Sequence, residues 1–90
     1  MSVKVDLHSF FYDGIDLANP LEVEGQNVGE CLAELVRRYP ALEQKLFANT
    51  GKLHGYVEVF VNAETSYPEE LTYAVKDGDV LTVSMLLSGG

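Results

Sequence analysis

A single apolar stripe in the middle of the chain limits how the rest of it can fold. Asn27, followed three positions later by Glu30, resembles a capping box and predicts that a helix begins here. Because Pro40 disfavours helix at Tyr39, we expect a break there and a second short helical segment to about Phe47. The apolar residues that share one side of this helical region, at spacings of three and four, are Val28, Leu32, Leu35, Tyr39, Leu42 and Leu46.

Alternating apolar and polar residues precede the helix. They occupy residues 3–7 and residues 21–24, and a period of two is typical of strands with one buried face. The Asp13-Gly14 and Asn19-Pro20 pairs between them are turn signals. We therefore expect an amino-terminal hairpin with a long, irregular connection, in which residues 15–17 begin the return strand.

The same alternation returns after the helix. Valines at positions 57, 59 and 61 predict a strand with one buried face, which leaves Phe60 on the opposite face. Residues 62–70 are predicted to be turn and loop, and residues 71–75 a short strand or loop. Asp77-Gly78-Asp79 is a turn signal, and the apolar run at residues 80–87 predicts the last strand.

This order of elements predicts an α+β fold of the β-grasp (ubiquitin-like) type. A mixed sheet of four to five strands would pack one face on the main helix and the short helical segment. The last strand would lie centrally, beside the first. We assign residues 1–86 to this domain and residues 87–90 to a flexible carboxyl-terminal tail.

The charge of the chain narrows the choice of partner. Fourteen acidic residues against 6 basic ones give a formal net charge of -8, which argues against nucleic acid or a membrane, because both attract clustered Lys and Arg. A protein with basic grooves fits better, although acidity also keeps a small domain soluble. The sequence contains no secretory or membrane-spanning pattern and only one cysteine, so we expect a cytoplasmic protein.

The sequence ends in Leu87-Ser88-Gly89-Gly90, directly after the predicted last strand. Glycine has no Cβ, so a diglycine terminus can enter a channel that is too narrow for side chains. Two terminal glycines also arise by chance in roughly one chain in 200. A central strand gives this tail a rigid base, from which four residues reach about 13–14 Å.

Three motifs give the chain a family resemblance. They are Val59-Phe60-Val61-Asn62, Asp77-Gly78-Asp79-Val80 and the Leu87-Ser88-Gly89-Gly90 tail. Together with the order of elements, they resemble the ubiquitin-like sulfur carriers of the MoaD/ThiS type. Residues 32–42 resemble the small subunit of molybdopterin synthase more than the shorter thiamine-type carrier. Many such subunits have an Arg-Glu pair where this chain has residues 11–14, and a proline before the glycines that this chain lacks.

The resemblance implies a chemistry for the tail. In the related carriers, a ubiquitin-activating-type adenylyltransferase uses ATP and Mg to adenylate the terminal glycine, and sulfur then displaces AMP to leave a thiocarboxylate. Gly90 would carry that group, and Gly89 would give it access to an active site. No cofactor is expected on this chain. The sulfur would pass to the large subunit of molybdopterin synthase or to another sulfur-accepting enzyme.

The partners are expected to contact the sheet face that points away from the helix. An apolar patch there would be informative, because exposed apolar clusters mark binding surfaces. Scattered surface residues or a dimer contact are the alternatives. The residues predicted to bind partners are Phe10, Phe60, Ser84, Leu86, Leu87 and Ser88.

Other polar groups are interpreted as structural. Cys31 is expected to be a half-buried thiol, and His8 and His54 lack metal-ligand spacing. The Glu69-Glu70 pair is expected in a solvated loop. An independent enzyme is disfavoured, because no nucleophile and base occur together. A carrier for thiamine, cysteine or tungsten-pterin pathways stays open, as does a ubiquitin-like modifier or binding module without sulfur chemistry.

Overall fold

The computed structural model describes residues 2–17, 20–49, 51–67 and 69–85. Within them, the strands are β1 (Val3–Leu7), β2 (Leu21–Val23), β3 (Val57–Val61), β4 (Glu64–Thr65) and β5 (Val80–Met85). The helices are α1 (Ser9–Tyr12), α2 (Val28–Arg38) and α3 (Leu42–Leu46), with a 3-10 turn at Glu70–Thr72. None of the helices in these ranges is long and apolar enough to cross a membrane.

The strands form one sheet in the order β2-β1-β5-β3-β4. β1 pairs antiparallel with β2 and parallel with β5, and β3 pairs antiparallel with both β5 and β4. This mixed sheet confirms the predicted β-grasp fold. It also confirms that the last strand lies at the centre, beside the first.

One face of the sheet is buried against α2. The strands alternate as expected: Val3, Val5 and Leu7 of β1 are buried, while the residues between them are exposed. On the neighbouring strand Leu81 stands opposite Val5, and Val83 stands opposite Leu7. The helical residues that join the same core are Val28, Cys31, Leu32, Leu35, Leu42 and Leu46. The predicted stripe is therefore the core face of the helical region, with Tyr39 partly buried beside it.

Two hydrogen bonds cap the start of α2. The Oδ1 atom of Asn27 accepts a hydrogen bond from Glu30 N at 2.7 Å, and Glu30 Oε1 accepts one from Gln26 N at 2.8 Å. The helix ends at Arg38 and α3 begins at Leu42. The predicted break at Pro40 is therefore confirmed.

Replacing this cap should weaken the fold measurably. Asn27→Ala is expected to lower the free energy of unfolding by about 1 kcal/mol, since one amide at the helix start loses its acceptor. Urea unfolding of the variant and the wild type measures the difference. Asn49→Ala, in an exposed turn, is the matched control and should cost much less. An equal loss in the two variants would contradict the capping role.

The connection between β1 and β2 differs from the prediction. Residues 9–12 form α1, and residues 15–17 precede the return strand, which begins only at Leu21. A local cap explains the helix, since His8 Nδ1 accepts a hydrogen bond from Phe10 N at 3.1 Å. Phe11 then points into the core, where its side chain is 0% exposed. The mixed pattern of apolar residues here reflects a helical turn.

The segment after β3 also differs from the prediction. A two-residue turn at Asn62 and Ala63, with φ values of 51° and 71°, leads into β4 where loop was predicted. Left-handed conformations at both positions are what a tight hairpin turn requires. Residues 70–72 form the 3-10 turn, and Ala74 makes one isolated bridge with Asn27 instead of joining a strand.

Candidate functional site at the end of strand β5

Strand β5 is paired on both sides along most of its length. Its neighbour β1 pairs with it as far as Val83, and β3 pairs with it as far as Met85. A strand that is held in this way has little freedom to move relative to the sheet. The predicted site residues Leu86, Leu87, Ser88, Gly89 and Gly90 follow it in sequence and lie outside the described residues.

Two aromatic residues stand at the sheet end where β5 finishes. Phe10 belongs to α1, which follows β1 directly, and His8 N donates a hydrogen bond to Val83 O at 2.9 Å. Tyr56 precedes Val57, the partner of Met85. The rings of Phe10 and Tyr56 meet edge to face, with centroids 5.7 Å apart. The end of β5 is thus flanked by aromatic surface.

Lys45 of α3 connects α1 with Tyr56. Its Nζ atom donates hydrogen bonds to Phe10 O at 3.1 Å and to Asp13 O at 3.4 Å, and it lies 5.5 Å from the centroid of the Phe10 ring. Tyr56 donates its hydroxyl proton to Lys45 O at 2.9 Å. A cation at the last carbonyls of a helix is favourable. Lys45 therefore holds α1 in place beside β5.

His54 supports the same arrangement. Its ring stacks on Tyr56 with centroids 4.9 Å apart, and its Nε2 atom lies 2.8 Å from Gln44 O. We call Phe10, Lys45, His54 and Tyr56 the end cluster. Phe10 is 38% exposed, so the end cluster presents an aromatic edge to solvent near the end of β5.

Phe60 and Ser84 lie on the other side of the sheet, away from α2. Phe60 stands opposite Thr82, and Ser84 stands opposite Glu58; both predicted residues are half-buried. Neighbouring positions on this face include Lys4 and Asp6 of β1. Among the described residues the face is therefore more polar than the predicted apolar patch. Phe10 makes its ring contacts with Phe11 and Tyr56 at the end of the sheet.

Cys31 and Asp79 have structural environments. Cys31 is fully buried, where half-burial was predicted; burial and the nearby Glu30 carboxylate raise the pKa of its thiol to about 11. It therefore stays protonated at neutral pH and is a poor nucleophile. Hydrogen bonds donated by Asn62 Nδ2 and by the Lys76 amide lower the pKa of Asp79. This carboxylate organises the turn before β5, as predicted.

The described residues contain no group of histidine, cysteine and carboxylate side chains that is arranged to hold a metal ion. Their chemistry at the end of β5 consists of aromatic surface and one bound ammonium group. This arrangement can support a docked protein.

Residues 15–90 match the ThiS family along their whole length. The chain belongs to the ThiS family. This ThiS-family chain is 37% identical over 71 residues to small archaeal modifier protein 1 of Haloferax volcanii, and the match covers 78% of each chain. The crystal structure of SAMP1 from Haloferax volcanii superposes with a TM-score of 0.80 at 27% identity, with 100% of both chains covered.

A chain of the Amycolatopsis orientalis BexX/CysO complex is similar at 28% identity and a TM-score of 0.80, covering 98% of this chain and 99% of that one. A chain in the complex of subunits 1 and 2 of the Helicobacter pylori molybdopterin-converting factor has 19% identity and a TM-score of 0.63 over 100% of both chains. The latter likeness shows the fold alone. The resemblance to ubiquitin-like sulfur carriers is confirmed at the level of a family that includes carriers and modifiers.

Proposed function

We propose that this ThiS-family chain is a sulfur carrier that bears a thiocarboxylate at Gly90. The observation that carries the proposal is the position of β5, the last strand, which lies at the sheet centre between β1 and β3. It ends at Met85, five residues before Gly90. Five residues can extend at most about 17–18 Å, which suits insertion into the active site of a docked enzyme.

The chemistry would be carried out by the partner. A carboxylate is a poor electrophile, so the Gly90 carboxylate would attack the α-phosphorus of ATP, and pyrophosphate would leave. Hydrosulfide from the sulfur donor would then attack the acyl carbon, AMP would leave with the bonding electrons, and the S–H proton would pass to solvent. The resulting thiocarboxylate is ionised and nucleophilic at neutral pH, for the same reason that thiolates are reactive. Gly89 would allow the tail to pass a narrow channel.

In this proposal, residues 1–86 form the folded domain and residues 87–90 form the tail. The domain would hold the tail in position for the partner. In our proposal the end cluster and the outer-face residues Phe60 and Ser84 contact the activating enzyme. The formal charge of -8 favours a partner with basic residues around that contact. The complex of BexX with CysO supports a protein partner for this chain too.

For the destination of the sulfur, we propose the large subunit of molybdopterin synthase. The similarity of residues 32–42 to the small subunit of that enzyme supports it. A second candidate is a protein modifier, which the 37% identity to small archaeal modifier protein 1 favours. In that case the activated Gly90 would form an isopeptide bond with a lysine. Either reaction would take place in the cytoplasm.

Intact-mass measurement tests the proposal. The purified chain is incubated with ATP, Mg²⁺, a sulfur donor and the activating enzyme of its host. We expect a mass gain equal to the difference between sulfur and oxygen, localised to the carboxyl-terminal peptide. Omission of ATP is the control and should leave the mass unchanged. Transfer to lysines of other proteins without this gain would favour the modifier, and no change at all would overturn activation at Gly90.

A further inference from the structure

The edge of β3 is only partly covered by β4. The short strand pairs with Phe60 and Val61 alone. Just beyond it, Ser66 donates hydrogen bonds to Val59 O from both its amide at 3.1 Å and its hydroxyl at 2.7 Å. These bonds extend the contact with β3 by one residue, to Val59. A cavity of about 160 Å³ remains at the edge of β3, with Leu53, Tyr67 and Glu70 in its walls.

A second cavity lies next to the first. It measures about 520 Å³ and is lined by Lys52, Leu53, Glu69, Glu70, Leu71 and Thr72. Leu53 and Glu70 line both cavities. The two cavities are therefore adjacent, and we refer to them together as the Leu53–Glu70 trough.

Glu70 is the unexplained group in this trough. Its Oε2 atom is buried and has no hydrogen-bond partner in the described part of the chain. An unpaired buried carboxylate oxygen is costly, and such atoms call for a partner that the isolated chain does not supply. The terminal torsion of a glutamate is soft, so a small rotation presents either oxygen to a donor entering the trough.

The residues around Glu70 favour one kind of hydrogen-bond donor, a guanidinium group. Leu53 and Leu71 provide apolar walls, and Tyr67 is 75% exposed at the mouth. A guanidinium group pairs with a carboxylate in two parallel hydrogen bonds and stacks on an aromatic face, while its aliphatic stem packs on apolar side chains. An ammonium group has no planar face for this stacking. Two carboxylates, Glu69 and Glu70, and one ammonium group, Lys52, line the larger cavity, so the charge of the lining favours a cation.

We propose that the Leu53–Glu70 trough binds an arginine side chain presented by a partner protein. The carboxylate of Glu70 accepts hydrogen bonds from the guanidinium, Tyr67 stacks on it, and Leu53 and Leu71 hold its stem. His54 of the end cluster also lines the smaller cavity, so this contact adjoins the end cluster. It requires no chemistry at Gly90 and stands independently of the proposed function.

A titration followed by ¹⁵N–¹H correlation spectra tests the site. The probe is N-acetyl-arginine methylamide, and the matched probe is N-acetyl-citrulline methylamide, which has nearly the same shape without the charge. Ionic strength is held constant with NaCl. We expect saturable shifts at the amides of Leu53, Glu70 and Leu71, with citrulline binding at least about tenfold more weakly because it lacks the charge-assisted pair.

Substitutions separate the contributions of Glu70 and Tyr67 to binding of the arginine probe. Glu70→Gln should abolish the shifts, and Tyr67→Ala should weaken binding about threefold through loss of stacking. Glu22→Gln, which makes the same charge change on β2 at the opposite edge of the sheet, should bind like the wild type. The comparison of arginine with citrulline needs no variant, so it decides the matter even if Glu70→Gln unfolds. Equal binding of the two probes, unchanged binding by folded Glu70→Gln, or identical shifts with NaCl alone would overturn the proposal.

Discussion

A chain without Gly90 is expected to gain no sulfur when it is incubated with ATP, a sulfur donor and the activating enzyme. The deletion moves the terminal carboxylate back by one residue, about 3.5 Å. Misplacement of a reacting group by about 1 Å can already cost a factor of about 100 in rate. The loss should therefore be complete in the intact-mass assay. The unfolding temperature should change by no more than about 1 °C, because terminal residues add few packed contacts.

Glu22→Gln is the control, since it changes an exposed residue of the edge strand β2 and leaves the tail intact. It should be charged at nearly the rate of the wild type. Extension of the chain by one alanine after Gly90 should block charging as the deletion does. Sulfur gain by the shortened chain would show that Gly90 is not the acceptor, whereas a fall of several degrees in unfolding temperature would show that the tail belongs to the packed fold.

Phe11→Ala should cause the largest loss of stability, about 3–5 kcal/mol. The side chain is 0% exposed, and its removal leaves a cavity beneath α1. A domain of this size has a total free energy of unfolding of about 5–15 kcal/mol, so the variant should lose a large fraction of its stability. Urea unfolding monitored by circular dichroism measures the effect.

Phe10→Ala makes the same chemical change at the neighbouring position and serves as the control. Phe10 is 38% exposed, so we expect a cost of only about 1 kcal/mol. In the charging assay, Phe10→Ala should raise KM for the carrier with kcat nearly unchanged, because the end cluster is proposed to bind the enzyme. Equal destabilisation by the two substitutions would contradict the described anchoring of α1.

Periodicity in the sequence was enough to predict the main helix and most of the sheet. The alternation in β1 and β3 and the stripe on α2 reflect burial on one face, which acts on each element locally. The central place of β5 followed from the order of elements and the rules of connection. The short helix α1 was missed because one turn is too short to establish a period, and its cap is an unusual histidine acceptor.

The candidate site was only partly predictable. The Gly-Gly motif is local and was visible at once, and Phe10 was included among the binding residues. Lys45 and Tyr56 were missed. Their contacts join residues 35 and 11 positions apart, and no local pattern connects a lysine on α3 with a helix after β1. The unpaired oxygen of Glu70 depends in the same way on the packing of two loops.

The parallel pairing of β1 with β5 also sets the order in which the chain can fold. Lys4 pairs with Val80, near opposite ends of the sequence, so the ladder at the sheet centre has a high contact order and a large loop-closure cost. During synthesis this ladder cannot form until β5 has emerged from the ribosome. The segment that bears the proposed reactive terminus is thus the same one that completes the fold. Chains truncated before β5 would lack both, so an activating enzyme that recognises the folded surface would reject such incomplete carriers without a separate checking step.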